Sequence, residues 1–351
     1  MRLQTTSIGA FPKPDSVPIS DWFQGEEGPD TVSPTEGYAA QLAKVSGEEA
    51  EALFVRAAGE VIADQVAAGI DVPTDGEVRR ENYIHYHCRH LDGIDFETLT
   101  EKELRGGAYS ASLPTITGPI SARDRFLPHD WKAAQNFTDR PVKVTMPGPM
   151  TITDTVANSY YDNDATLGAD LAAAINAELL ALAAAGCTHI QIDEPVFARK
   201  PEQALAYGFE NLERCFHGAP ESVIRTVHMC CGYPDRLDSP DYPKAGRDAY
   251  PRIANAIEDS SIQAVSLEDA HSHNDLSLLE RFKSTAVILG AVAVAKSRVE
   301  PVEEIRERLR AALDHIDADR LIAAPDCGLG LLGRGLAMAK LTNLCAAAHD
   351  L

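Results

Sequence analysis

Basic residues are scarce in this chain: 32 Lys and Arg stand against 53 Asp and Glu, a formal charge of −21. No basic tract accumulates to replace phosphate counterions, which argues against a nucleic-acid partner. The same deficit argues against an anionic membrane surface, and the plain meaning of so much acid is solubility. Long apolar runs are missing as well. No uninterrupted stretch approaches the roughly 20 residues of a membrane span, and the opening MRLQTTSIGAFPKP has no apolar segment of signal-peptide length. Cysteine is thin, seven in number and widely scattered. Without an export signal a disulfide framework is not expected, so a cysteine with a special role is a metal ligand or a nucleophile. The expected compartment is the cytoplasm, with no membrane partner.

What the chain does have is 44% hydrophobic and 24% charged residues, enough for a sizeable core. Short β-rich runs alternate with alanine-rich helical runs, the pattern of repeated βα units. Eight runs read as strands, at 3–9, 69–75, 141–147, 188–194, 222–228, 262–268, 286–292 and 320–326. Helical patterns fill 48–69, 170–186, 246–259 and 301–316, the last with Val302, Ile305, Leu309 and Leu313 on one face. The expectation is a single α/β domain over 1–351, a (β/α)8 TIM barrel. Two insertions rich in Pro, Gly and charge, about 10–47 and 76–140, are expected at the C-terminal face, where such barrels build their sites.

In a barrel of that kind the strand ends share one mouth. The polar residues there are Glu77, Asp193 and Glu194, His228 and Cys230, Glu268 and Asp269, and Asp326 and Cys327. His228 and Cys230 can hold one ion from a single strand end, and Glu268 and Cys327 can close it. Such a Cys2HisGlu set suits tetrahedral Zn2+. Strand alternation puts Cys230 on the side of His228 and Cys231 on the other. The bland alternative stays open at this point. His228 would be a core histidine, the cysteines small buried hydrophobes and Glu268 a solvated carboxylate at a helix N-terminus.

The motifs SIGAFPKP, TDGEVRREN, MPGPMTI, QIDEP, HMC, SLE and PDCGLG occur in that order along almost the whole chain. Together they resemble the catalytic C-terminal barrel of the cobalamin-independent methionine synthase family, zinc-dependent thiol alkyltransferases. The resemblance implies zinc on His228, Cys230, Glu268 and Cys327. It implies homocysteine held by the backbone of Ile8, Gly9 and Ala10, with its ammonium between Glu77 and Asp193. Methyl transfer to the homocysteine thiol is the implied reaction, and Lys296 falls at the family's proton-donor position.

The departures lie on the methyl-donor side. Thr153, Asp154 and Thr155 stand where the family places a tryptophan against folate, Arg199 where it has a pterin-contacting glutamate, and Lys296 where it has histidine. The full synthase also carries a second, N-terminal barrel that this chain lacks. The implied donor is therefore not a folate polyglutamate but a corrinoid, an accessory protein or another carrier, as in the short stand-alone "core" synthases. Arg79, Arg80, His85, His87 and His90, on the second insertion, are candidates for binding a donor, a partner or a second metal. Competing readings are an alkyltransferase for another thiol such as coenzyme M, and a non-catalytic zinc-binding barrel. Paired carboxylates favour an ammonium over a sulfonate.

Overall fold

A computed structural model of the chain describes residues 1–23, 33–104, 109–233, 236–239 and 244–351. Ten strands run in chain order: β1 (Gln4–Thr5), β2 (Leu91–Leu104), β3 (Tyr109–Ala122), β4 (Val144–Pro147), β5 (Ala157–Asn158), β6 (His189–Asp193), β7 (Ile224–Met229), β8 (Ala264–Leu267), β9 (Ala286–Val292) and β10 (Leu321–Pro325). Seven of them form one parallel sheet in the order β1-β10-β9-β8-β7-β6-β4, each step separated by helical chain. The segment expected as a strand at 69–75 contributes single parallel pairs instead. Val72 pairs with Thr6 beside β1, and Thr74 with Lys143 beside β4, so this segment touches both edges of the sheet. Pro73 between them donates no hydrogen bond, while its carbonyl accepts Lys143 N at 2.8 Å. A proline there prevents a continuous ladder. The fold is thus mixed α/β with a curled seven-strand parallel sheet.

Local chemistry sets the helix ends. In Gly47–Ala68 the Ser46 hydroxyl accepts Glu49 N at 3.2 Å. Gly69 then closes the helix at φ 109°, a conformation that favours glycine. The helix Asp164–Ala184 starts where Asn163 accepts Thr166 N at 2.9 Å. Its length and apolar composition would suffice to cross a membrane, yet it packs Leu167, Leu171, Leu179 and Leu182 fully inside the protein. Composition of that kind also describes a core helix.

Alternation along the strands separates two packing surfaces. Val144, Met146, Ile190, Ile192, Val227, Met229, Val265, Leu267, Val287 and Leu289 join the large cluster shared with the helices. Ile8, Ala264, Ile288 and Ala324 form a second, smaller cluster on the opposite, inner face. The inner face is therefore largely apolar along β8 to β10, apart from Ser266. On β4, β6 and β7 it is polar, carrying Lys143, Thr145, Gln191, Asp193, Thr226 and His228, each nine-tenths buried or more.

The second expected insertion is not loop. It holds the helix Tyr83–Cys88 and the antiparallel pair β2 and β3, which β5 extends to a three-stranded sheet. From the first insertion the structure describes the helix Ser33–Leu42, while 24–32 lie outside the described residues. The C-terminal helix Arg334–His349 and the helical turns over 195–216 add to the four helices expected.

Candidate active site

A cavity of about 1160 Å3 opens at the C-terminal ends of the sheet strands. Ile8, Gly9, Ala10, Glu77, Asp193, His228, Cys230 and Cys327 all line it. β7 delivers His228 and Cys230 from one strand end, and Cys327 follows the end of β10. The ligand atoms of His228, Cys230 and Cys327 all lie within 4.8 Å of one another. Cys327 Sγ is 3.5 Å from His228 Nε2. Two ligands at about 2.0–2.3 Å from a tetrahedral zinc are about 3.6 Å apart, so that edge already has the span of a zinc site. The other imidazole nitrogen, His228 Nδ1, is 2.9 Å from Ser266 Oγ, which turns Nε2 toward the thiols. The hydrogen bond from Cys327, and then His228, hold the Cys230 thiol well below its usual range against the effect of burial. Cys327 is pushed well above it by the same bond. Burial alone would lower the His228 imidazole, but the Cys230 sulfur beside it raises it. Two soft sulfurs sharing a proton beside an imidazole are a donor set that fits a thiophilic divalent metal.

Glu268 stands apart from that trio. Its carboxylate accepts Cys231 N at 3.0 Å and pairs with Lys244 Nζ at 2.5 Å. It groups instead with His271 and Asp326, their ligand atoms also within 4.8 Å of one another. Asp326 accepts the backbone N–H groups of Asp269, Ala270 and His271 at 2.8–2.9 Å, tying the loop after β8 to the end of β10. Gly290 is required opposite it, because a Cβ there would lie 2.1 Å from Asp326 Oδ1 and 2.8 Å from its Cα.

Beside the sulfurs lie two buried acids. Glu77 has φ 57°, supported by its own N–H bonding Asp75 Oδ1 at 3.0 Å. Holding a non-glycine residue there costs on the order of 1–3 kcal/mol, and such strain gathers at functional sites. Glu77 Oε1 accepts Thr145 Oγ1 at 2.8 Å and faces Arg80 NH1 at 3.4 Å. Asp193 Oδ1 accepts Gln191 Nε2 at 2.7 Å, and the same amide reaches Ile8 O at 2.9 Å. Burial pushes Asp193 up to about 7, with Glu77 adding to the rise and His228 opposing it. Glu77 is raised by burial and by Asp75, against Arg80. Two acids raised by burial form a pocket that gains when a cation enters. Gly9 leaves room for it, since a Cβ there would meet Glu77 Oε1 at 2.9 Å.

The chain matches the family described as cobalamin-independent synthase, catalytic domain, over residues 3–214 and 244–350. It belongs to that family. Among its relatives is the methionine synthase of Saccharolobus solfataricus, 29% identical over 346 residues, covering 97% of this chain and 92% of that protein. The methionine synthase of Sulfolobus acidocaldarius is 28% identical over 343 residues, with 97% and 90% covered. A solved B12-independent methionine synthase from Shewanella sp. W3-18-1, in complex with selenomethionine, superposes with a TM-score of 0.85. It is 31% identical and covers 99% of this chain and 97% of that one.

Within this member of the cobalamin-independent synthase family, not every residue expected at the site reaches it. Lys296 is exposed and lines a separate cavity of about 140 Å3 with Asp269, His273, Glu300 and Arg308. The three histidines of the second insertion diverge. His85 bonds Thr35 Oγ1 at 2.8 Å and Thr155 O at 3.2 Å, His87 bonds Tyr83 O at 2.8 Å, and His90 bonds Asp124 at 2.8 Å while stacking on Phe126. Among the described residues they do not group as metal ligands. Arg79 pairs with Glu51 at 2.7 Å, and Arg80 with the site's own Glu77. Cys231 turns away from the thiol pair, and burial pushes it up to about 12.

Several site residues escaped the sequence reading. Ser266, Gln191 and Thr145 orient His228, Asp193 and Glu77 from beneath. Gln191 and Ser266 each precede a flagged acid by two positions, so strand alternation would have found them. Trp22, Phe23, Tyr83 and Tyr233 form an aromatic wall with ring centroids 4.6–6.3 Å apart. No local motif announces it.

Proposed function

We propose that the chain transfers a methyl group to the thiol of homocysteine, giving methionine, as a single catalytic unit with the seven-strand sheet and the 69–75 segment as the eight staves of one barrel. The observation that carries this reading is the meeting, in one cavity, of two thiols and an imidazole with a buried pair of carboxylates. His228, Cys230 and Cys327 would hold Zn2+, and Glu268 would have to leave Lys244 to complete four-coordination. Bound there, zinc supplies Lewis acidity that favours a thiolate over a thiol at neutral pH. Glu77 and Asp193 receive the substrate ammonium, which carries three donors and gains from two acceptors in a water-poor pocket. Ile8, Gly9 and Ala10 border the same pocket. The aromatic wall keeps water from the sulfur and the amino-acid backbone. The methionine synthase activity of the relatives supports the same reaction. So does the selenomethionine bound by the Shewanella protein, which is the methylated amino acid with selenium for sulfur.

The donor in this reading is not a folate polyglutamate, and a corrinoid or other carrier takes its place. The cations on the outer cavity wall are already engaged. Arg199 and Lys200 pair with Asp154 at 3.3 and 2.7 Å. Arg252 pairs with Glu202, and Lys102 donates to the carbonyls of Thr153, Asp154 and Val156 at 2.8–3.1 Å. A polyanionic tail would have to displace these partners. A sulfonate thiol such as coenzyme M would face two carboxylates, and a purely structural zinc site would not open into a large cavity.

The deciding experiment is incubation of the zinc-loaded protein with homocysteine and, separately, methylcobalamin or a methylfolate. Methionine should form with a non-folate donor, and calorimetry should register homocysteine binding. If homocysteine does not bind, the reading is wrong.

A further inference from the structure

Along the β4 stave, Val142, Val144 and Met146 belong to the core cluster shared with the helices. Lys143 and Thr145 therefore face the inner side. Lys143 is 2% exposed, and its Nζ has no hydrogen-bond partner among the described residues. Buried ammonium groups without partners are rare, because desolvation then goes uncompensated. On the adjacent strand Gln191 lies opposite Thr145 and is fully buried. Its Nε2 donates to Ile8 O and Asp193 Oδ1, while its Oε1 has no partner among the described residues. A donor lacking an acceptor and an acceptor lacking a donor thus sit on neighbouring staves. They are offset by two residues, about 6.6 Å along a strand, which an extended lysine reaches. Asp193 is the acid whose charge acts on Lys143, and Lys143 acts in turn on His189 and His228. Its ammonium therefore lies in the inner space bounded by β4, β6 and β7.

The geometry points to Lys143 as a positioning residue for the amino-acid end of the site, donating through a buried water to Gln191 Oε1 and so steadying that amide in its observed orientation. An amide has two orientations that differ only in which end donates. If Gln191 were reversed, its oxygen would meet the Ile8 carbonyl and the Asp193 carboxylate, acceptor against acceptor. The Lys143 ammonium can only donate, so a water that accepts from it keeps both of its hydrogens to donate, and Gln191 Oε1 is an acceptor without a partner among the described residues. Lys143 thereby reinforces the orientation in which Nε2 clamps Ile8 and Asp193 together, two of the groups that border the amino-acid pocket. A buried water with such partners is an ordinary structural element.

This inference rests on the homocysteine reading, and its test separates the two. Homocysteine and 4-mercaptobutanoate, the same thiol without its amino group, are titrated into zinc-loaded wild type, K143M and K143Q. In the variants homocysteine KM should rise about ten-fold, the size of a lost hydrogen bond to a charged group, with kcat within about three-fold. Affinity for 4-mercaptobutanoate and zinc content should not change. Equal weakening for both thiols, or no change for homocysteine, overturns the inference alone. Wild type that binds no homocysteine overturns the functional reading instead. Should both variants fail to fold, a high-resolution crystal structure of the wild type decides. Density for a water between Lys143 Nζ and Gln191 Oε1 supports the inference, and its absence rejects it.

Discussion

Replacing Asp193 by asparagine should weaken substrate binding and strengthen the fold at alkaline pH, both for the same reason. The carboxyl is buried, and burial first, with Glu77 next, lifts it from 3.8 to about 7. A carboxyl held above its solution value binds its proton more tightly folded than unfolded. Its contribution to stability is complete below pH 3.8, drains as the pH climbs, and is gone above about 7. At about 1.4 kcal/mol per pH unit, the whole span amounts to about 4 kcal/mol. Roughly half of that falls between about pH 5.5 and 8. An asparagine side chain cannot ionise, yet its oxygen can still accept from Gln191, so D193N should escape this loss. Urea unfolding of the metal-free proteins at the two pH values measures it directly. Wild type should lose about 2 kcal/mol more than D193N across that interval. Homocysteine should bind D193N about 10- to 100-fold more weakly, the worth of a hydrogen bond between charged partners. Parallel losses of stability in the two proteins, or unaltered homocysteine affinity, would refute the account of the pocket.

Other outcomes follow from the same geometry. Cys327→Ser should lose most of a bound metal, measured as zinc per chain against about one in the wild type, since it removes one of three converging ligands. Lys296→Ala should leave kcat and KM within about two-fold of wild type, because exposed side chains away from a site rarely matter; a larger loss in a steady-state assay would return Lys296 to the chemistry. Gly9→Ala should raise homocysteine KM by about ten-fold or more at nearly unchanged melting temperature, as its methyl meets the Glu77 carboxylate in a tightly packed site.

Much of this molecule was legible because βα units repeat a simple rhythm. The runs at 188–194, 222–228, 262–268, 286–292 and 320–326 each coincide with an observed strand to within two residues at either end. Glu77, Asp193, His228, Cys230 and Cys327 could be flagged because each follows an apolar run, and one cavity gathers them. The run at 69–75 misled in part, since Pro73 permits pairing only on either side of itself. The second insertion was harder. Its two 14-residue strands carry mixed burial patterns with several register shifts, so no clean alternation marks them. Glu268 illustrates a different limit. Spacing put it at a strand end, but its choice between the metal trio and Lys244 depends on a loop contact that no local pattern encodes. Lys296 likewise follows β9 in the chain, and the turn there carries it outside the mouth.

The unequal lining of the inner face has a practical consequence. Buried polar side chains are concentrated along three adjoining strands, β4, β6 and β7, whereas β1, β10 and the 69–75 segment reach the cavity through residues just past their ends. Laboratory evolution toward a different sulfur acceptor can therefore randomise Thr145, Gln191 and Asp193 while leaving the aliphatic Ala264, Ile288 and Ala324 untouched. Substitutions at the aliphatic positions should chiefly destabilise, and those at the polar positions should chiefly change specificity.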